Sequence, residues 1–417
     1  MVFVSEIPMA LWIAGGLALY MAWAIGANDV ANAMGTSVGS GALTVWGAIL
    51  VAAVFEFGGA FFAGGHVTDT VRKGMLDLSL ISREQLIYGM LGSLAAAGTL
   101  LIGATRFGLP VSTTHSIVGA IVGFGAVAIG PDVVNWPKIG QIVLSWLTSP
   151  LIAGVIAFII FQITRANILD TKDPILRIRR LGPVFFFFVF FIIGLVTLFK
   201  GLKPLKLDLD LKEALLGSVA LGLVGTAIGA FFIRRVQLGE EDPKHRFSRV
   251  EKIFVVLQIL TACAIAFAHG SNDVANAIGP LAAVTSAIGG AELGGKAPVA
   301  AWMLAIGGLG IVVGLATWGY RVMETVGKRI TELTPSRGFA AQLAAATTIV
   351  VASRLGIPVS TTHTLVGAVL GVGLARGISA LDLRVVGKII VSWVATLPIA
   401  AVLSMFFYFF FKGLLSG

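Results

Sequence analysis

Long stretches without charged residues are the feature that most restricts what this chain can fold into. The ten segments given below, each of 19 to 26 residues, contain no Asp, Glu, Lys or Arg, and a helix needs about 20 residues to cross a hydrocarbon core of ~30 Å. Backbone groups in lipid must be hydrogen-bonded internally, which favours helices for continuous apolar runs. The sequence therefore predicts an all-α polytopic membrane protein. The segments are residues 7–28, 30–55, 85–105, 139–164, 181–199, 214–233, 253–272, 297–320, 355–375 and 389–411.

The overall composition excludes a soluble protein. Of the 417 residues, 57% are hydrophobic and 12% are charged, whereas soluble domains are roughly 45–50% apolar and about 25% charged. The net charge of +9 is explained by Lys and Arg in loops that flank the membrane, so no nucleic-acid partner is expected. The single cysteine, Cys263, excludes an intramolecular disulfide. No Lys or Arg precedes the first apolar run, which we therefore expect to span the membrane rather than act as a signal peptide.

The chain contains an internal repeat. Gly26–Ala33 (GANDVANA) returns as Gly270–Ala277 (GSNDVANA), and Pro110–His115 (PVSTTH) returns unchanged as Pro358–His363. The two offsets, 244 and 248 residues, are nearly equal and the order is the same. We infer that the protein consists of two homologous halves.

The repeat also sets the predicted organisation. Ser145-Trp146 recurs as Ser392-Trp393 near the end of each half. We expect an N-terminal transporter-like repeat over 1–163, a linker with two transmembrane helices over 164–252, and a C-terminal repeat over 253–417.

The relative orientation of the halves follows from the number of crossings. Only the Gly108-Leu109-Pro110 break separates residues 85–105 from 107–131, which predicts a re-entrant hairpin that enters and leaves on one side. Five crossings then separate the starts of the two repeats, so the second is inverted. This topology places 18 Lys and Arg in cytoplasmic loops and 10 on the other side, with both termini outside. Inverted repeats with broken helices are typical of secondary transporters, whose substrate site lies between the repeats.

The first repeated motif introduces carboxylates at membrane depth. An ionised Asp there costs at least ~2.5–3.5 kcal/mol, so it should face a cavity and find partners. Carboxylate and amide oxygens suit a hard cation such as Na⁺, although such groups can also merely join helices by hydrogen bonds. The candidate Na⁺ ligands are Asp29, Asn32, Asp273 and Asn276.

The second motif places hydroxyl groups after a Gly-x-Pro turn and before an apolar helical run. A helix N-terminus offers unpaired N–H groups and a positive dipole end, which favour an oxyanion; the alternative is simple N-capping. Two such termini could converge between inverted repeats. The candidate anion-binding residues are Ser112, Thr113, Thr114, Ser360, Thr361 and Thr362, together with Asn28 and Asn272 of the first motif.

Several ionisable residues near these motifs are candidates for coupling or gating. Glu56 and His269 have no charged counterpart in the opposite half, and Arg106 and Arg354 precede the hairpin turns. The arginines could bind an anion directly or snorkel towards the interface. His115 and His363 are expected to cap or support the helix starts. A Ser-His-Asp hydrolase is disfavoured because no G-x-S-x-G pattern surrounds either serine.

The two duplicated motifs closely resemble those of the inorganic phosphate transporter (PiT) family, and the resemblance covers both halves. It implies cation-coupled transport of inorganic phosphate by alternating access, with both termini outside. It also implies that Asp29 and Asp273 are essential, and that the positions of Glu56 and His269 take part in transport. The short linker here differs from relatives that carry a large cytoplasmic loop.

The sequence thus predicts a Na⁺-coupled phosphate symporter in the cell membrane, with no enzymatic activity and no cofactor besides Na⁺ as coupling ion. Its expected partners are phosphate, Na⁺ or H⁺, the lipid bilayer and a second copy in a homodimer. One alternative is a proton-coupled transporter of a metal–phosphate complex or of sulfate with the same fold. An intramembrane hydrolase is the alternative from another class, and a channel or receptor would not need two inverted hairpins.

Overall fold

The computed structural model describes residues 3–66, 75–198, 209–235, 246–290, 299–354 and 359–416. Within these ranges the chain is almost entirely helical, and its β-type pairing is a single bridge between Leu76 and Val134. The helices are α1 (Phe3–Ile25), α2 (Ala31–Gly39), α3 (Val45–Ala63), α4 (Arg83–Arg106), α5 (Thr113–Ala128), α6 (Trp136–Thr164), α7 (Pro174–Val196), α8 (Leu211–Arg235), α9 (Arg246–Ile288), α10 (Ala301–Trp318), α11 (Tyr320–Glu324), α12 (Pro335–Arg354), α13 (Thr361–Arg376) and α14 (Leu383–Leu415).

Nine helical stretches of the described chain are long and apolar enough to cross a membrane. This confirms the predicted all-α polytopic class. The charge-free segments 7–28 and 253–272 end at the motif carboxylates, but the helices continue through them. Between α1 and α2 a π-helical turn, Gly26–Val30, joins the two helices without a break, and α9 is continuous over 43 residues. The segment 355–375 is not one span, because its helix α13 begins only at Thr361.

Two helical hairpins, α4–α5 and α12–α13, each enter and leave at one end of the bundle. At the base of the first, the backbone N–H of Asp77 donates to the Val133 carbonyl at 2.8 Å. At the base of the second, the N–H of Asp382 donates to the Ile330 carbonyl at 3.0 Å. These bonds join the chain before each hairpin to the chain after it, as a re-entrant hairpin requires.

The two hairpins point towards each other. Helix α6 starts at the base of the first hairpin, and Trp146 on α6 contacts His363 at the start of α13. Further along, Gly154 packs on Gly371. From the first contact to the second, the chain advances in the same direction along both helices. Helix α6 therefore runs parallel to α13 and ends near the base of the second hairpin. The bases therefore lie at opposite ends of the bundle.

Helix α14 makes the reciprocal passage. It starts at the base of the second hairpin, and the indole N–H of Trp393 donates to the Pro110 carbonyl at 3.0 Å. It then packs along α5 and reaches Phe124, whose ring stacks on Tyr408. This pseudo-symmetric arrangement is the one expected of inverted repeats.

The two halves do not pack as separate bodies. Each hairpin packs on the last helix of the opposite half, and α3 packs on α9 while α10 packs on α1. A Cβ at Gly26 would lie 1.8 Å from the Ile311 carbonyl oxygen, and one at Gly270 would lie 2.2 Å from that of Glu56. Glycine is thus required where the two motif helices cross their partners. The linker helices α7 and α8 pack on each other, and α7 also packs on α9.

The opposite positions of the hairpin bases can be tested by labelling. Gly130 and Gly377 lie at the two bases but have positive φ angles of 141° and 110°, so the exposed neighbours Asp132 and Ser379 are better cysteine positions. In a Cys263→Ala background, we expect an impermeant maleimide to reach Asp132→Cys from outside and Ser379→Cys only from inside. Labelling of both variants from one side would refute inversion.

Candidate functional site

Asp29 lies in the π-helical turn between α1 and α2 and is buried. Its Oδ2 accepts a hydrogen bond of 2.7 Å from Thr113 Oγ1, at the first residue of α5. Its Oδ1 accepts a hydrogen bond from Thr362 Oγ1, at the second residue of α13. One carboxylate thus holds the starts of both hairpin helices, one from each half.

Asp273 is the equivalent carboxylate on α9 and is also buried. Its Oδ2 accepts from Thr361 Oγ1 at 3.1 Å, and its Oδ1 accepts from Asn276 Nδ2 at 3.2 Å. The Asn276 amide also lies 3.3 Å from Thr113 Oγ1, to which it donates. The structure therefore brings the two predicted carboxylates and three of the predicted threonines into one cluster between the hairpins.

His269 and Glu56 complete this cluster on one side only. The Nδ1 atom of His269 lies 2.9 Å from Glu56 Oε2, and its Nε2 atom lies 2.6 Å from Asp273 Oδ2 and 3.7 Å from Asp29 Oδ2. All four side chains are buried. Ligand atoms of Asp29, His269 and Asp273 lie within 4.8 Å of one another. Three carboxylates around one imidazole form a strongly cation-attracting centre.

The free space at the cluster is small. A cavity lined by Asp29, His269 and Thr361, among others, leaves about 10 Å³ in which the centre of a water molecule can move. That is about the room for one water molecule. This space is too small for a tetrahedral oxyanion, whereas a small cation would need much less rearrangement.

Asn28 binds the hairpin turn rather than the cluster. Its Nδ2 donates to Thr105 Oγ1 at 2.9 Å and to the Leu109 carbonyl at 3.0 Å, and its Oδ1 accepts from the Val111 N–H at 3.1 Å. Sequence reasoning missed Thr105, because nothing local in α4 distinguishes it from threonines that bond only to their own helix. Asn272 lies beside Asp273 and is half-buried, and the Asn32 side chain lies outside the described part of the structure.

The hydroxyl residues divide into two groups. Ser112 and Ser360 are N-caps, since each Oγ accepts the N–H of the histidine three residues later at 3.2 Å. Thr113, Thr361 and Thr362 donate to the carboxylates instead. The hydroxyl of Thr114 makes no hydrogen bond within the described chain, and the residue is half-buried.

The predicted arginine Arg106 does not join the cluster. Arg106 is exposed at the end of α4, where its carbonyl accepts a hydrogen bond from Arg321. The Arg354 side chain lies outside the described residues. His115 and His363 cap nothing with their imidazoles; the rings lie in contact behind the hairpin tips, with centroids 4.2 Å apart.

This geometry defines a class of protein: a polytopic helical membrane transporter with a buried, ionisable site between two opposed hairpins. Within that class, the sequence profile of the phosphate transporter family matches residues 25–404, and the chain belongs to that family.

Individual relatives agree with this assignment. A proposed phosphate permease of Haemophilus influenzae is 49% identical over 403 residues, covering 96% of each chain. The chloroplastic inorganic phosphate transporter 2-1 of Arabidopsis thaliana is 43% identical over 95% of this chain and 71% of its own. A solved structure described as the sodium-dependent phosphate transporter is 42% identical, with a TM-score of 0.88 over 97% of this chain and 99% of that one. The protein is therefore a transporter and not an enzyme.

The role of Asn28 as a hairpin anchor can be measured as stability. Replacing Asn28 by Ala leaves the buried Thr105 hydroxyl and two backbone groups without their partner, which should cost about 1–3 kcal/mol and lower the melting temperature in detergent. Asn167→Ala is the matched control, because that exposed amide bonds only to the Ile163 carbonyl four residues earlier. Equal melting temperatures for the two variants would contradict the anchoring role.

Proposed function

We propose that the protein is a Na⁺-coupled symporter of inorganic phosphate that works by alternating access. The observation that carries this proposal is the pair of buried carboxylates, Asp29 and Asp273, each hydrogen-bonded by a threonine at the start of a hairpin helix. The threonine hydroxyls proposed to bind the anion thus donate hydrogen bonds to the carboxylates proposed to bind the cation. Occupancy of one site must alter the other.

The cation sites are proposed at Asp29 and Asp273, with Asn276 and Asn32 as additional oxygen ligands. Carboxylate, amide and hydroxyl oxygens are hard ligands, which suit Na⁺. The name of the solved relative, a sodium-dependent phosphate transporter, supports the choice of ion. His269 supplies the alternative partner of these carboxylates when no cation is bound, since its Nε2 lies 2.6 Å from Asp273.

Phosphate is proposed to bind between the starts of α5 and α13. Thr113, Thr114, Thr361 and Thr362 would supply hydroxyl donors, and the two helix N-termini supply unpaired N–H groups and positive dipole ends. Ser112 and Ser360 contribute indirectly, by capping the same helices. The cavity beside Asp29 and Thr361 holds only about 10 Å³, so phosphate binding would require the two tips to separate.

Electrostatics gives the reason for coupling. A phosphate anion placed beside two ionised carboxylates is repelled, and the repulsion is strong where the effective dielectric constant is low. Na⁺ at Asp29 and Asp273 removes this repulsion and also releases the threonine hydroxyls towards phosphate. Cation binding therefore raises phosphate affinity, and linkage requires the reverse effect to be equal.

The membrane orientation belongs to the same proposal. The excess of Lys and Arg in the loops around residues 165–180, 234–252, 321–337 and 376–388 supports a cytoplasmic position for those loops and an outside position for both termini. The hairpins would then reach the site from opposite faces, as alternating access requires. Location in the cell membrane and assembly as a homodimer stay predictions.

Coupling can be tested at the two carboxylates. Asp29→Asn and Asp273→Asn keep size but remove the charge that attracts the cation, so we expect loss of Na⁺-driven phosphate uptake into proteoliposomes. Asp170→Asn, at an exposed pair with Arg165, is the control and should transport normally. Full Na⁺-dependent uptake by both site variants would reject the cation sites. Uptake driven only by an imposed proton gradient in the parent would replace Na⁺ by H⁺.

The phosphate site can be tested separately with hydroxyl deletions. Thr113→Val and Thr361→Val keep the side-chain shape, and each loses a hydrogen bond to a charged ligand worth about 1.5–3 kcal/mol. Phosphate affinity should fall roughly 10- to 150-fold, while Na⁺ affinity measured without phosphate should change less. Thr226→Val is the control, because that hydroxyl bonds only to Gly222 within its own helix. Phosphate affinity within twofold of the parent in both site variants would place the anion elsewhere.

A further inference from the structure

Four aromatic rings lie directly behind the hairpin tips. The His115 ring lies 3.5 Å from the Trp146 ring and 4.2 Å from the His363 ring, centroid to centroid, and His363 stacks on Trp393 at 3.7 Å. The order is Trp146, His115, His363, Trp393, and we refer to these four residues as the ring layer. Each half of the chain contributes one histidine and one tryptophan.

The ring layer joins every element that positions the tips. His115 and His363 lie in the first turns of α5 and α13, two residues and one residue after the threonines that bind Asp29. Trp146 and Trp393 lie on α6 and α14, the helices that each pack on the hairpin of the opposite half. The separation of the two helix starts is therefore set by the contact between the His115 and His363 rings, which meet edge to face at an interplanar angle of 67°.

Hydrogen bonding contributes little at His115. Both of its ring nitrogens are buried without a well-formed hydrogen bond within the described chain, although the ring approaches the Trp393 backbone. Its counterpart His363 uses Nδ1, 3.3 Å from the Trp146 carbonyl, to which it donates. A neutral group of matching shape would fill the His115 position without leaving buried polar atoms unpaired.

We propose that the ring layer is a clamp that holds the tips of the two hairpins at the spacing needed for Thr113, Thr361 and Thr362 to reach one site. His115, His363, Trp146 and Trp393 are thus positioning residues for phosphate, acting through the threonines. The clamp also makes the two repeats dependent on each other, because the central pair, His115 and His363, joins a ring from each half. The expected effect of the clamp on transport rests on the proposed phosphate site. Its effect on the distance between the hairpin tips is independent of that proposal.

The first test measures the spacing without transport. Spin labels at Val127→Cys on α5 and Leu374→Cys on α13, both exposed, report the separation of the hairpin helices in a Cys263→Ala background. We expect Trp146→Ala and His115→Ala to broaden or shift the distance distribution, and His115→Phe to leave it unchanged. The control Trp12→Ala removes an exposed ring away from the layer and should also change nothing. A parent-like distribution in both alanine variants would overturn the clamp.

The second test measures phosphate uptake by folded, reconstituted protein. Loss of aromatic contacts worth about 0.5–1.5 kcal/mol per pair should raise the phosphate concentration for half-maximal uptake about two- to tenfold in Trp146→Ala and His115→Ala. The maximal rate should change less, and His115→Phe should restore the parent value. In His363→Phe the phosphate concentration for half-maximal uptake should stay somewhat above the parent value, because this variant loses the hydrogen bond to the Trp146 carbonyl.

The outcomes separate the proposals. An inactive His115→Phe with normal spacing would show that the imidazole nitrogens act chemically, and would overturn a purely positional role. Absence of phosphate uptake in the parent would refute the proposed function, while the spin-label distances would still decide whether the clamp exists.

Discussion

The burial of two carboxylates at membrane depth is the constraint on which the rest of the structure depends. Neither Asp29 nor Asp273 can remain there unpaired, because an uncompensated charge in the bilayer is costly. Each is satisfied by hydroxyls that only a hairpin helix start can bring to the same depth. The re-entrant hairpins, the glycines at the helix crossings and the N-cap serines all serve to place those hydroxyls there.

Sequence reasoning recovered the architecture because the relevant signals are local. Charge-free length, the Gly-x-Pro break and the duplicated motifs indicate spans, hairpins and repeats without knowledge of contacts. The packing of α6 and α14 on the hairpins of the opposite halves was not predictable. It depends on contacts between residues more than 200 positions apart, such as Trp146 and His363. A strict repeat gives no indication of whether its halves pack side by side or interleave.

The site shows the same division. The structure groups Asp29, Asp273 and three threonines that the sequence selected by type and depth, but the motif alone could not separate Ser112, which caps, from Thr113, which donates to Asp29. Similarly, Asn28 next to Asp29 was expected to face the substrate, whereas its amide binds the hairpin turn. These assignments depend on side-chain direction, and a difference of one residue along a helix start rotates the side chain by about 100°.

Duplication explains why the site is nearly symmetric, and the exceptions show where the two halves have separate tasks. Thr362 crosses to Asp29, while its counterpart Thr114 makes no hydrogen bond within the described residues. Glu56 in the first half and His269 in the second have no charged counterpart in the opposite half, and they pair with each other. Two identical cation sites would bind with equal affinity and give no order of loading. Asp273 has a histidine at 2.6 Å and Asp29 has the same histidine at 3.7 Å. In the proposed symporter, a cation at Asp273 would compete more strongly with this histidine, and the asymmetry would favour loading at Asp29 before Asp273.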